Sequence, residues 1–156
     1  AARAQVGKAL TLKPNYTDAI LLVVQLDVAA NDIPSAIQAA TAAAQTAPGV
    51  APIWFQLGLL YYAAGNATNA ALALEQAISL VPDYANAKYF LGLSYATLSR
   101  NEEAIQQFKD LAKTNPDNVE VALIVSNLEA GKAPFEGTVS PVTPKSQVRP
   151  PAPVEE

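Results

Sequence analysis

The sequence predicts an all-α fold, a one-directional stack of helix pairs. Three observations predict it. Pro14, Pro48, Pro82 and Pro116 stand 34 residues apart, three times running. Other columns keep the same period: Ala36, Ala70 and Ala104; Ala9, Ala43 and Ala77, with Leu111 in the fourth copy; Leu57 and Leu91; Gly58 and Gly92; Tyr61 and Tyr95. Each period also holds two apolar stretches at helical spacing, separated by a turn signal.

The elements follow in order. Residues 1–16 (AARAQVGKALTLKPNY) read as the second helix of a unit whose first helix is missing. Val6, Ala9 and Leu10 recur on one side, and Pro14 ends the run. Residues 17–50 form a first whole repeat, in which Asp32 caps a second helix with Pro34 in its first turn. Residues 51–84 form the next. Its first helix runs over about 52–64, Gly65 closes it, and the second helix covers about 67–80. In repeat 85–118, Asp83 is expected to cap the first helix (85–98) and Asn101 the second. Glu102 and Glu103 fall in the first turn, where carboxylates suit the helix dipole. A terminal first-type helix (119–131) ends at Gly131. Residues 132–156 carry six of the twelve prolines and no helical period, which predicts an extended Pro-rich tail.

These columns closely resemble the tetratricopeptide repeat family. Trp54, Leu57, Gly58, Tyr61, Ala70, Leu74, Ala77 and Pro82 carry the resemblance, followed by Leu91, Gly92, Tyr95, Ala104, Phe108 and Pro116. The first whole copy departs from it, with Val24 in the glycine column and Asp27 in the tyrosine column. The resemblance covers residues 1–131. It implies a right-handed α–α superhelix of three full repeats flanked by half repeats. It is almost silent on function.

Family arrays line a concave face with their first helices. By helical phase that face holds Leu21, Gln25, Val28, Phe55, Leu59, Tyr62, Tyr89, Leu93, Leu123 and Asn127. This apolar, aromatic groove suits an extended, proline-containing segment. One subgroup of the family grips peptide carboxylates with Lys, Arg and Asn on this face. Here Leu21, Gln25, Pro52, Phe55, Asn86 and Tyr89 stand there instead, so that activity is not carried over.

Charged residues make up only 15% of the chain, so its surface leaves apolar area for partners. The net charge of −4 excludes a broad basic patch, and nucleic acid is not an expected partner. With neither Cys nor His, the chain lacks thiolate metal sites, disulfides and the commonest general base. No nucleophile–base pair, phosphate loop or metal cluster stands out, and no enzyme activity or cofactor is expected. The longest apolar run, 19–30, is broken by Gln25 and Asp27 and falls short of a membrane span. The start at Ala1 and the absence of Met fit a processed or excised chain. Export to the cell envelope or the extracellular space is expected, with a cytoplasmic site as the other option. Asn15 and Asn66 begin N-glycosylation triplets, and Thr138, Ser140, Thr143 and Ser146 stand among the tail prolines as O-linked candidates.

Two functions follow as expectations. In the first, copies of the chain join head to tail into a filament. Val6, Ala9 and Leu10 of one copy would meet Val121, Ile124, Val125 and Leu128 of the next. In the second, the chain is a peptide-binding scaffold within a larger membrane-anchored or exported protein, its groove holding an extended peptide or a neighbour's Pro-rich tail.

Overall fold

A computed structural model describes residues 17–138. Within them lie seven helices and no strand: α1 (Thr17–Ala29), α2 (Ile33–Thr46), α3 (Ala51–Ala63), α4 (Ala67–Leu80), α5 (Ala85–Thr97), α6 (Asn101–Thr114) and α7 (Val119–Glu129). Each packs on its neighbour in sequence, and α3 also touches α5. The described residues thus make three helix pairs and a terminal single helix, stacked as an α–α superhelix.

The 34-residue period is also a period of hydrogen bonds. After each first-type helix the chain turns through a left-handed residue, Asn31, Gly65, Ser99 or Gly131. One bond closes each turn across five positions: Asp32 N–H to Asp27 O, Asn66 N–H to Tyr61 O, Arg100 N–H to Tyr95 O, and Lys132 N–H to Asn127 O. Between repeats, Val50, Tyr84 and Asn118 each donate to the carbonyl three residues earlier. The last turn comes two residues early on this grid, so α7 is shorter than α3 and α5.

Two expected caps are corrected. The second-helix cap column is 32, 66, 100. Asp32 accepts from Ser35 N–H and Asn66 from Asn69 N–H, each at 3.1 Å. In the third pair this column falls on Arg100, which makes no side-chain cap bond, and Asn101 is already the first helical residue. Arg100 instead donates to Glu103, with Nε–Oε2 at 2.6 Å, and lies 4.2 Å over the Tyr95 ring. Likewise Tyr84, not Asp83, precedes α5. Asp83 is exposed, with Lys88 3.9 Å away.

Helix pairs close through a matched column. A Cβ on Gly58 would lie 2.6 Å from Leu74 Cγ, and one on Gly92 would lie 2.6 Å from Phe108 Cε2. In the first pair the same columns hold Val24 and Ala40, both buried in one cluster. A large residue on one helix meets a small one on the other, and the sense is reversed in the first pair. Between the first and second pairs total volume is conserved, which is what close-packed interiors tolerate best.

Candidate functional site

First-type helices bring their rings together. Phe55 stacks on Tyr84 with centroids 4.9 Å apart and approaches Phe90 at 6.3 Å. Tyr62 meets Phe90 edge-on at 5.6 Å, and Tyr89 lies edge-on to both Phe90 and Phe108. These contacts tie α3, α5 and α6 into one aromatic layer. Phe90 and Tyr84 are its unforeseen members. Phe90 shares a column with Gln56 and Ile124, and Tyr84 with Val50 and Asn118, so no repeated aromatic marked them.

Two tyrosine hydroxyls of α5 meet carboxylates. Tyr89 Oη donates to Glu120 Oε1 at 2.5 Å, and Tyr95 Oη to Glu75 Oε1 at 2.6 Å. Both phenols titrate well above the usual tyrosine range, first because of burial and then because each holds its proton against a carboxylate. Burial alone raises Tyr62 and Tyr84.

Of the expected groove, Phe55, Leu59, Tyr62 and Tyr89 are half-buried, as is Leu21, while Gln25, Val28 and Leu123 are exposed. Leu93 and Asn127 are corrections. Leu93 is buried in the core, 2% exposed. Asn127 is 8% exposed because the chain after α7 folds onto it. Its Nδ2 donates to Pro134 O at 3.0 Å and to Glu136 O at 3.1 Å. Residues 132–138, expected to open the extended tail, instead form a turn whose Phe135 packs against the core. Tyr62, Leu93, Ala96, Thr97 and Leu128 border a cavity of about 330 Å3 beneath Pro134 and Phe135.

The subunit-junction residues are corrected as well. Val121, Ile124 and Leu128 are buried in the chain's own core, and only Val125 is half-exposed. Their columns are those of Ile53 and Ala87, Gln56 and Phe90, and Leu60 and Ser94, mostly interior positions. Val6, Ala9 and Leu10 lie outside the described residues.

The uncovered side of α7 is a different one. Ala122, Val125, Ser126 and Glu129 occupy the columns of Trp54, Leu57, Gly58 and Tyr61. Between α2 and α3 that side forms a groove with Thr41, walled on the far side by Asn69, Leu72, Ala73 and Gln76 of α4. The matching groove between α6 and α7 holds Lys109, Ala112, Lys113, Ala122 and Val125, and among the described residues it has no such third wall. Beside it Val119 is 80% exposed and Leu123 38%.

Asn66 is exposed in its turn and Thr138 is exposed at the end of the 132–138 turn, its Oγ1 donating to Phe135 O. Asn15, Ser140, Thr143 and Ser146 lie outside the described residues. Among the described residues no cluster of acidic side chains could hold a metal ion, and no helix is long and apolar enough to cross a membrane.

A family model described as tetratricopeptide repeat matches residues 24–85 and 55–119, together 96 of the 156 residues. Among solved structures, a crystal structure of MamA is similar at a TM-score of 0.75 and 22% identity, covering 83% of this chain and 75% of that one. The first repeat domain of Spaghetti (RPAP3), solved with an HSP90 peptide, is similar at 0.67 and 16% identity, covering 72% and 89%. The second domain of human RPAP3, solved with an HSP70 peptide, is similar at 0.65 and 19%, covering 70% and 92%. At these identities the likeness is one of fold. No curated protein matches the chain.

Proposed function

The chain belongs to the tetratricopeptide repeat family, and on that premise we propose that it is a non-enzymatic scaffold that joins copies of itself head to tail. The observation that carries this is the groove between α6 and α7. Its Lys109, Ala122 and Val125 stand in the columns of Thr41, Trp54 and Leu57 of the α2–α3 groove, but among the described residues it lacks the second-type helix that forms the third wall there. Residues 132–138 go elsewhere, because Asn127 holds this turn against Leu128 and Thr97.

Residues 1–13 have the sequence of the missing wall. Ala2, Val6 and Ala9 fall in the columns of Ala70, Leu74 and Ala77. Ser126 falls in the column of Gly58, Gly92 and Val24, whose partners are Leu74, Phe108 and Ala40. Across a junction, Ser126 would therefore face Val6 of the next copy, an intermediate residue against an intermediate one. Covering about 200 Å2 of apolar face, at ~25 cal/mol per Å2, contributes roughly 5 kcal/mol before ordering costs. A contact between two different surfaces propagates, so the product is an open filament or a ring.

Cysteine pairs test this cleanly, since the chain has no Cys. Under oxidising conditions, a mixture of Val6→Cys and Ser126→Cys chains should give the mixed disulfide in preference to either like pair. Sedimentation of the unmodified chain should show association that rises with concentration. A chain that stays monomeric at about 1 mM, and forms no mixed disulfide, overturns the proposal.

The aromatic layer favours a second role alongside the first, the holding of an extended peptide. RPAP3 domains of this fold were solved with HSP90 and HSP70 peptides. Here the apolar layer, with Glu120 at its edge, favours a ligand anchored by rings and prolines over a carboxylate-terminated one.

A further inference from the structure

The 132–138 turn is itself a peptide seated on the first-type helices. It leaves α7 through Ala130 and the left-handed Gly131 (φ 71°), then lays Pro134 and Phe135 against residues from α3, α5 and α7. A buried side-chain amide fixes it. Asn127 directs Nδ2 to two carbonyls two residues apart, Pro134 O and Glu136 O, so it reads the main chain and not a particular side chain. Phe135 supplies the apolar anchor. An open cleft of about 330 Å3 lies beside the turn, lined by Tyr62, Leu93, Ala96, Thr97, Asn101 and Leu128 and by Lys132, which pairs with Glu136 at 3.6 Å.

We propose that this turn is a built-in ligand that occupies a binding site for a turned segment of another protein. The partner segment carries a proline followed by an aromatic ring. Each feature of the occupant names a requirement. Asn127 needs carbonyls i and i+2 close enough for one nitrogen to reach both, which a turn provides and an extended strand, advancing ~6.6 Å over two residues, does not. A tethered turn competes at an effective concentration of order mM, so the resting site is closed to weak ligands and open to tight ones. This site and the uncovered side of α7 use different sides of that helix, so the two can be occupied independently.

A fluorescein-labelled synthetic peptide, KAPFEGT (the sequence of residues 132–138), is the probe, read by anisotropy against the full chain. Phe135→Ala should bind it at least tenfold more tightly than the unmodified chain, because the competing anchor is gone. Adding Asn127→Ala to Phe135→Ala should abolish that gain. Equal binding by the unmodified and Phe135→Ala chains overturns the proposal. A second measurement needs no variant. The amides of Glu136 and Thr138, bonded to Ala133 O and Phe135 O, should exchange hydrogen several-fold faster when millimolar unlabelled peptide displaces the turn. Unchanged exchange at saturating peptide equally overturns it.

Discussion

A single column decides how closely two helices approach. Gly58 admits Leu74 and Gly92 admits Phe108, while Val24 sits with Ala40. Gly58→Val should therefore cost about 1–3 kcal/mol by overpacking, and Leu74→Ala about 2–5 kcal/mol by leaving a cavity. The double variant copies the first pair and should recover at least half of the summed loss. Urea unfolding of all four chains gives the coupling directly; simple additivity would show that the two positions do not share one space. The glycine column was legible in the sequence because it repeats. Its exchange for Val24 was legible only as a departure, since nothing in one column states what the other must become. Asn127 was hidden for another reason. Its column holds Leu59 and Leu93, and its hydrogen-bond partners come from a segment with no repeat at all.

At the scale of elements, helix starts are set by caps that the repeat does not keep uniform. Asp32 and Asn66 accept from the backbone of α2 and α4, whereas Arg100 stands in the same column and pairs with Glu103. Asp32→Ala and Asn66→Ala should each lower stability by about 1 kcal/mol in chemical unfolding. Arg100→Ala, which removes no cap, should cost less than either. Second-type helices were legible in both place and phase, because α6 is apolar on one side and charged on the other. First-type helices were legible in place only. LLVVQL, IWFQLGLL and VEVALIV are apolar nearly all round, so helical phase could not tell the core side of α7 from the uncovered one. Column alignment carries the answer. Val121 and Ile124 align with Ala87 and Phe90, whereas Val125 and Ser126 align with Leu57 and Gly58.

For the whole molecule, stability should fall in alkali. Tyr62, Tyr84, Tyr89 and Tyr95 all hold their protons above the ordinary tyrosine value of 10.0 when folded. Between that value and the folded one, the unfolded chain binds fewer protons than the native chain, so unfolding free energy declines as pH rises. The stabilisation is fully present below pH about 10 and is lost progressively above it. Thermal melts between pH 8 and 12 should show the decline, and Tyr89→Phe together with Tyr95→Phe should make it shallower. A slope unchanged in that double variant would place the alkaline sensitivity elsewhere. The superhelix was legible from 34-residue spacing alone, whereas the closing turn at 132–138 required a fold-back that no periodic pattern encodes.

The reversed pair at Val24 and Ala40 also bears on how the chain avoids misassembly. Arrays of similar helices are prone to swapping partners during folding, within a chain or between chains. Here a wrong match is penalised from both directions. Pairing α1 with α4 would drive Val24 into Leu74, and pairing α3 with α2 would leave Gly58 over Ala40 with a void between them. Three pairs that share one backbone thus carry two incompatible shapes, and the first repeat is distinguishable from the others while the chain is still choosing its neighbours.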